Sequence, residues 1–323
     1  MAENVTVTMT EEEALQKKPQ DKNVSPVEPK LRKKKKVYVF DVVNYILITL
    51  FSLFCLFPVV YVFLLSFSSK ADYLNSAFMV IPKHFNFEAY KIIFNQGRVG
   101  IAFLISLFVT IVGTLYSMIL TSLGAYAFTK KEVPGLRGIF TFIIITMFFS
   151  GGLIPFYFTV RDVVGLNNLA SLIIPFGINT FNMIVLRNFF NQVPKELIES
   201  CYLDGASDFR VLWQFVVPLS KAGIATVSLF YIVAKWDDWY WPSILLTRRD
   251  DLYPLALELR NVLNNSQSEG YGGDGGIQVD PTLLFAQGQN AAMIVVSILP
   301  ILCIYPWLQK YFVKGVMIGS VKS

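Results

Sequence analysis

The sequence predicts an all-α integral membrane protein with six transmembrane helices, and two observations lead to this prediction. Hydrophobic residues make up 54% of the 323 residues and charged residues 16%, well below the ~25% charged share of soluble domains. The chain also contains apolar segments long enough to cross a bilayer, which takes about 20 residues of helix. The predicted spans are 42–67, 101–128, 138–160, 169–190, 222–246 and 287–311.

Residues 1–36 precede the first span and are polar, poor in aromatic residues and lysine-rich at their end. This composition predicts a disordered cytoplasmic tail. The apolar run that follows is far longer than the ~7–15 residues of a signal-peptide core, so we expect no cleavable signal here. The predicted domains are therefore the tail and a six-span transmembrane domain over 37–323.

Two prolines, Pro155 and Pro175, interrupt the third and fourth predicted spans. Such interruptions are tolerated at membrane depth where protein or water satisfies the freed backbone groups. Basic residues near the span ends are more frequent on the side of the tail, the C-terminus and the loop at about 191–218. By the positive-inside rule, both termini and this loop are predicted to be cytoplasmic.

Residue patterns for catalysis or metal binding are missing from the sequence. There is no phosphate-binding Gly-Lys-Ser/Thr motif, no nucleophile motif and no zinc signature, and the one histidine is His84. We therefore expect a non-catalytic subunit that binds no metal and no cofactor. The net charge of +5 is explained by topology rather than by nucleic-acid binding, because the basic residues lie beside apolar segments.

The loop at about 191–218 is the polar, amphipathic stretch between the fourth and fifth spans. Pro194 can open a helix over Lys195–Asp204, and Gly205 permits the bend that ends it. Ser207 can cap a second helix. One face of that helix would carry Phe209, Leu212, Trp213 and Val216.

The spacing Glu199-x-x-x-x-Asp204-Gly205-Ala206, followed by Pro218, resembles the EAA loop of binding-protein-dependent ABC importers. The usual first triplet is Glu-Ala-Ala, whereas here it is Glu-Ser-Cys. The resemblance implies that the loop is a coupling helix that docks into a groove on a separate ATPase. The coupling residues that it implies are Glu199, Asp204, Gly205, Ala206, Phe209 and Trp213.

Two further motifs resemble segments of the maltose-type permeases, which belong to the carbohydrate importers of this family. The fifth span contains Trp-Asp-Asp-Trp-Tyr-Trp-Pro over 236–242, with Asp237 in place of the usual Asn, and the C-terminal motif lies at 312–322. The resemblance implies a bacterial cytoplasmic-membrane sugar importer. Its expected partners are a second permease, two ATPase subunits that carry ATP and Mg²⁺, an extracellular solute-binding protein and the carbohydrate itself.

Lys235 is the most unusual residue of the fifth span, since an ionisable group there costs about 2.5–3.5 kcal/mol on insertion scales. It could form an internal ion pair with Asp238, three residues on, or extend its ammonium to a nearby membrane interface. Alternatively, it faces a translocation cavity, where a lysine would favour an acidic sugar. The predicted pathway residues are Lys235, Trp236, Asp238, Trp239, Asn179 and Asn182, although the two asparagines could instead form interhelical hydrogen bonds.

Two other functions are open from the residues alone. One is an ion-gradient-driven transporter with Lys235 and Asp238 as a proton relay, and the other is a membrane scaffold with a dry, apolar interior. The glycine-rich stretch 270–276 lacks the context of a phosphate-binding loop and is predicted to be a mobile outer loop.

Overall fold

The structure is a computed structural model that describes residues 39–69, 85–95, 98–130, 132–149, 151–268 and 286–320. Every regular element within these residues is helical. Residues 1–53 and 54–323 form two separate units, and the packing described below lies within the second. The predicted tail 1–36, the glycine-rich stretch 270–276 and the side chains of the C-terminal motif at 312–322 lie outside the described part.

The helices follow one another in this order: α1 (Val39–Ser66), α2 (Glu88–Asn95), α3 (Arg98–Ala127), α4 (Leu136–Thr146), α5 (Leu153–Val163), α6 (Ala170–Ile173), α7 (Thr180–Phe190), α8 (Lys195–Leu203), α9 (Asp208–Leu219), α10 (Lys221–Trp236), α11 (Tyr240–Leu245), α12 (Leu255–Ser268) and α13 (Ala286–Ser320). A short 3₁₀ turn at Asp250–Leu252 precedes α12.

Three described helices are long and apolar enough to cross a membrane: Phe40–Ser66, Arg98–Ala127 and Gln287–Pro306. They coincide with the first, second and sixth predicted spans. α9 and α10 meet at an 88° bend and add a fourth if they form one span. By length and composition, the described residues therefore contain three or four such helices, and the other predicted spans are broken.

Each break has a local cause. In the third predicted span, α4 and α5 are separated by a turn in which Gly152 has a φ of 88°. Pro155 does not cause this break, since it lies in the first turn of α5, where a missing N–H is tolerated. In the fourth, Pro175 lies between α6 and α7. In the fifth, the Asp238 carboxylate accepts the N–H groups of the next helix and ends α10 at Trp236.

α3 and α10 pack against each other, and both contact α7. Small side chains on α3, among them Ser117 and Thr121, are fully buried and let the neighbouring helices approach closely. The closest approach is at Gly223 of α10, where an added Cβ would lie 2.5 Å from Cγ of Phe189 on α7. The three helices therefore hold one another in a fixed register around the candidate site.

Candidate functional site

The loop between the fourth and fifth predicted spans forms two short helices that are joined at Gly205. α8 begins after Pro194, and Gly205 follows its end with a φ of 77°. The N–H of Ala206 donates to the carbonyl of Cys201, and the N–H of Gly205 donates to that of Tyr202, both at 3.0 Å. These two bonds form a Schellman motif, which closes a helix end and favours glycine in the left-handed position.

The second helix of the loop, α9, has an irregular register. Ser207 caps its start by accepting a backbone N–H at 3.4 Å, and the turn from Leu212 to Val216 is π-helical. Leu212 and Val216 are buried, but Phe209 is 66% exposed and Trp213 is half-buried. The four apolar residues predicted to share one face therefore do not share a burial state, and the π-turn widens the helical repeat between Leu212 and Val216.

A polar cluster ties this loop to the end of α3. The hydroxyl of Tyr202 donates to Asp208 Oδ1 at 2.5 Å, and the Tyr126 hydroxyl lies 3.0 Å from that of Tyr202. Lys130 Nζ lies 2.9 Å from the same Asp208 oxygen, bonds to the Tyr202 hydroxyl and lies 4.7 Å from the centroids of both tyrosine rings. The segment after α3 is thereby connected to both helices of the loop.

The charges in this cluster stabilise each other. Hydrogen bonds from Tyr202 and Lys130 hold the pKa of Asp208 below its ordinary value. Burial lowers the pKa of Lys130, but its bonds to Tyr202 and Asp208 outweigh this and raise it above its ordinary value. Asp208 and Lys130 are therefore both charged at neutral pH.

The outer surface of the loop is both acidic and apolar. Glu199 and Asp204 are exposed, and so are the apolar side chains of Leu203, at 89%, and Phe209, at 66%. Nothing in the described part of the chain covers these side chains. A surface of this kind, at the tip of a helix pair whose other face is buried, is suited to a protein partner.

A second candidate site is a cavity of about 450 Å³ between α3, α7 and α10. Polar and aromatic side chains from several helices line it. They are Phe176, Asn179, Asn182, Tyr231, Lys235, Asp237, Asp238 and Trp241. Four of the six predicted pathway residues thus line one cavity, and the other two do not.

Lys235 and Asp238 lie in the same cavity without forming an ion pair. Within the described residues Lys235 has no ion-pair partner, and its stem passes over Gly113 of α3, where an added Cβ would lie 2.8 Å from Cδ. Asp238 Oδ1 instead accepts the backbone N–H groups of Tyr240 and Trp241, each at 3.1 Å. The carboxylate is engaged by the start of α11, whereas the ammonium forms no ion pair or hydrogen bond with any residue in the described part of the chain.

The start of α7 forms another wall of this cavity. The Asn179 side chain caps the helix by accepting the backbone N–H of Asn182 at 3.1 Å. The N–H of Asn179 donates to the Tyr231 hydroxyl at 3.0 Å, and that hydroxyl lies 2.7 Å from Thr121 Oγ1. Tyr231 therefore connects α3, α7 and α10, and the asparagines serve the helix start as well as the cavity wall.

Trp236, the last residue of α10, and Trp239, just before α11, do not line this cavity. Trp236 is buried, its Nε1 donates to the carbonyl of Ser297 at 2.9 Å, and its ring packs edge-on against Phe103. Trp239 stacks on the guanidinium of Arg260, which lies 3.3 Å from the ring centroid. Both tryptophans line a separate cavity of about 460 Å³ between α12 and α13, so the structure does not bring them together with Lys235.

Known proteins resemble this chain over most of its length. No protein-family model matches it. The polygalacturonan/rhamnogalacturonan transport system permease protein YtcP of Bacillus subtilis (strain 168) is 36% identical over 285 residues, which cover 88% of this chain and 99% of YtcP. The chain belongs to the carbohydrate ABC transporter permeases. Protein LplC of the same bacterium is 38% identical over 285 residues, covering 88% of this chain and 95% of LplC.

The fold of this permease also matches a solved structure. A chain in the crystal structure of a bacterial ABC transporter involved in the import of the acidic polysaccharide alginate superposes with a TM-score of 0.77. The two are 30% identical, and the match covers 86% of this chain and 98% of the other. The resemblance to carbohydrate importer permeases that the central loop, fifth span and C-terminus indicated is confirmed, and the function is that of an oligosaccharide importer permease.

Some residues of the permease's two sites were not predicted from the sequence. Tyr231 lies four residues before Lys235, a spacing that places both on one helix face and could have identified it. The cluster of Tyr126, Lys130 and Tyr202 offered no such signal, because its members are up to 76 residues apart. Its geometry depends on how the end of α3 packs beside the loop.

Proposed function

We propose that this permease forms, with a second permease subunit, the pathway of an ATP-driven importer of acidic oligosaccharides. The observation that carries the proposal is Lys235, a cation without an ion-pair partner among the described residues, in a cavity of about 450 Å³. Lys235 is half-buried, and the carboxylates of Asp237 and Asp238 line the same cavity without forming an ion pair with it. A partly buried cation is stabilised by a direct partner, which a sugar carboxylate would supply.

The rest of the cavity wall supports a sugar as the occupant. Tyr231 and Trp241 contribute aromatic rings, and Asn179, Asn182 and Asp238 contribute polar groups. Specificity in such cavities comes from a few placed polar groups on a largely apolar wall. Among the relatives, one is named for polygalacturonan/rhamnogalacturonan transport and another is described as an importer of the acidic polysaccharide alginate. These names support a substrate that carries carboxylates.

Six membrane crossings with both termini in the cytoplasm are part of the proposal. The breaks after α4, α6 and α10 then lie at membrane depth, where they line a cavity or contact protein. Discontinuous helices around a central binding site are known from other transporters. Asn179 is the last residue of the break between α6 and α7, and it lines the cavity. A central binding site would therefore explain why the fourth apolar segment is interrupted at this point.

Coupling to ATP hydrolysis is assigned to the loop of α8 and α9. We infer that Leu203 and Phe209 enter an apolar groove on an ATPase subunit and that Glu199 and Asp204 meet basic residues at its rim, since all four are exposed. Gly205 and Ala206 close the turn between the helices, and Trp213 supports it from the half-buried side. The proposed complex also contains a solute-binding protein outside the membrane, and its ATPase subunits bind ATP with Mg²⁺.

The decisive experiment measures uptake into vesicles that contain the complete importer. The substrates are an oligogalacturonate and its carboxyl-reduced, neutral analogue, and the variant is Lys235→Met, which keeps a stem of similar length over Gly113. A hydrogen bond to a charged group contributes about 1.5–3 kcal/mol, so we expect uptake of the acidic sugar to fall by about tenfold or more. Uptake of the neutral analogue should change little.

Two controls separate the possible explanations. Lys221→Met removes an exposed lysine from the first turn of the same helix and should affect neither sugar. The double variant Lys235→Met/Asp238→Asn tests an internal ion pair, and asparagine retains an acceptor for the start of α11. Rescue by the double variant, or equal loss of both sugars, would contradict a direct role of Lys235 in substrate binding. Uptake that persists with inactive ATPase subunits would indicate the ion-gradient mechanism instead.

A further inference from the structure

A separate cavity of about 400 Å³ lies on the side of the chain that carries the coupling loop. It is formed by the segment after α3, the start of α4 and the second half of α7. The side chains that line it include Phe128, Lys130, Leu136, Arg137, Phe140 and Arg187. Three of these are basic, and none of the described residues that line the cavity is acidic.

The two arginines carry the charge that is available in this cavity. The ammonium of Lys130 is already engaged by Asp208. Arg187 is fixed in place, because its Nε donates to the Phe128 carbonyl at 2.7 Å and its guanidinium lies 4.3 Å from the centroid of Phe140. Its terminal NH₂ groups make no hydrogen bond within the described residues. Arg137 is exposed and has no ion pair there either.

The helix beside the cavity is suited to hydrocarbon. α4 is a short apolar helix, and none of its residues is buried. Ile139, Phe142 and Ile145 are 55%, 66% and 47% exposed. An apolar helix face that leads away from an arginine-lined cavity matches a molecule with an anionic head and a hydrocarbon chain.

We propose that this cavity binds the phosphate headgroup of an anionic phospholipid, with an acyl chain lying along α4. Arginine binds phosphate through two parallel N–H donors, and basic pockets at the ends of membrane helices recognise anionic headgroups. Gly135, at the start of α4, provides no side-chain cap, and the N–H of Leu136 donates to the Val133 carbonyl at 3.4 Å, so the N–H groups of Arg137 and Gly138 are additional donors for the phosphate. A soluble phosphate would use the same donors but would leave the apolar face of α4 uncovered.

The test measures lipid retention by the purified importer complex in native mass spectrometry. The complex is equilibrated with detergent micelles that contain either phosphatidylglycerol or the zwitterionic phosphatidylcholine. Each basic residue near an anionic headgroup contributes about a fivefold change in affinity, so Arg137→Gln should weaken phosphatidylglycerol binding by about fivefold. Arg137→Gln/Arg187→Gln should weaken it by about 25-fold, by multiplication. Phosphatidylcholine should bind weakly to all variants.

Lys221→Gln is the matched control, because it removes an exposed basic residue of the same side that does not line the cavity. Arg137→Gln alone decides the test if loss of Arg187 prevents assembly, since the Arg137 side chain makes no described contact that the fold would lose. Equal retention of phosphatidylglycerol by Arg137→Gln and wild type would overturn the proposal.

Two further experiments distinguish the phospholipid from free phosphate in the cavity and from a protein subunit on α4. Excess inorganic phosphate should not displace phosphatidylglycerol, and full displacement would make this a site for free phosphate. A cysteine introduced by Gly138→Cys, where an added Cβ meets nothing within 4 Å, should be labelled by a lipid-soluble maleimide in the assembled complex. Protection of that cysteine by a neighbouring subunit would show that protein, not lipid, covers α4.

Discussion

Replacing Gly205 should uncouple the permease from its ATPase without preventing insertion into the membrane. The N–H groups of Gly205 and Ala206 close the end of α8 on two carbonyls, each at 3.0 Å, and this requires a φ of 77° at Gly205. A residue that avoids this φ would reopen the turn and change the angle between α8 and α9. The exposed side chains proposed to contact the ATPase would then be displaced relative to each other.

The size of the effect follows from what surrounds the glycine. A Cβ added at Gly205 would meet nothing within 4 Å, so steric overlap contributes nothing and only the backbone conformation matters. The left-handed conformation costs an L-residue about 1–2 kcal/mol, less for asparagine and more for β-branched residues. The population of the native turn should therefore fall by about 5- to 30-fold relative to competing conformations.

The assay is solute-stimulated ATPase activity and uptake by the reconstituted importer for Gly205→Asn, Gly205→Ala and Gly205→Val. We expect activity to decrease in that order, with asparagine near wild type, while co-purification of the subunits is retained. Asparagine is the matched control, since it adds a side chain of similar size to valine but tolerates this φ. Wild-type stimulation in Gly205→Val, or an equal loss in Gly205→Asn, would refute the reasoning.

Three other substitutions test the packing and the polar cluster. Gly223→Ala should lower the Tm of the complex, because its Cβ would overlap Phe189 and overpacking costs about 1–3 kcal/mol, whereas Gly100→Ala, where nothing lies within 4 Å, should not. Lys130→Met and Asp208→Asn should each reduce stimulated ATPase activity, and the double variant should be no worse than the poorer single one if the two residues act only through each other. The charged form of Asp208 stabilises the loop fully above the ordinary pKa of an aspartate, and this stabilisation is lost as pH falls through the lowered pKa of Asp208. The charged form of Lys130 also stabilises the loop, and this stabilisation is lost as pH rises through the raised pKa of Lys130. Coupling should thus not vary through this pair between about pH 6 and 8.

The turn between α8 and α9, in the loop proposed to couple to the ATPase, could be predicted because its signals are local. A proline before α8, a glycine after it and Ser207 before α9 each act on the backbone within a few residues. The burial of α9 could not be predicted in the same way. A regular helix would have placed Phe209, Trp213 and Val216 on one face, but the π-turn over Leu212–Val216 changes the repeat, and its position depends on packing beneath the helix.

Only some of the residues that line the cavity could be predicted, because the sequence shows the cost of a residue but not the direction of its side chain. Lys235 and Asp238 could be selected by their cost inside an apolar segment, which is a property of the residue. Trp236 was grouped with them because it is adjacent in sequence, yet adjacent residues on a helix point about 100° apart. Trp239 follows the end of α10, where helical spacing no longer applies. The direction of each side chain, and not its proximity in the chain, decides which cavity it reaches.

α10 is the element that connects the two sites of this permease. It follows the coupling loop at the 88° bend and carries Lys235 at its other end, 15 residues after Ser220, or about 22 Å of helix. Along this length, two contacts hold α10 to α7. Gly223 packs closely against Phe189, and the Tyr231 hydroxyl accepts the N–H of Asn179. We infer that a movement of the loop by the ATPase would shift α10 and α7 together. Since each contributes one wall of the cavity, such a shift would alter the contacts between Lys235 and a bound sugar, and a difference in contacts between two states is what coupling requires.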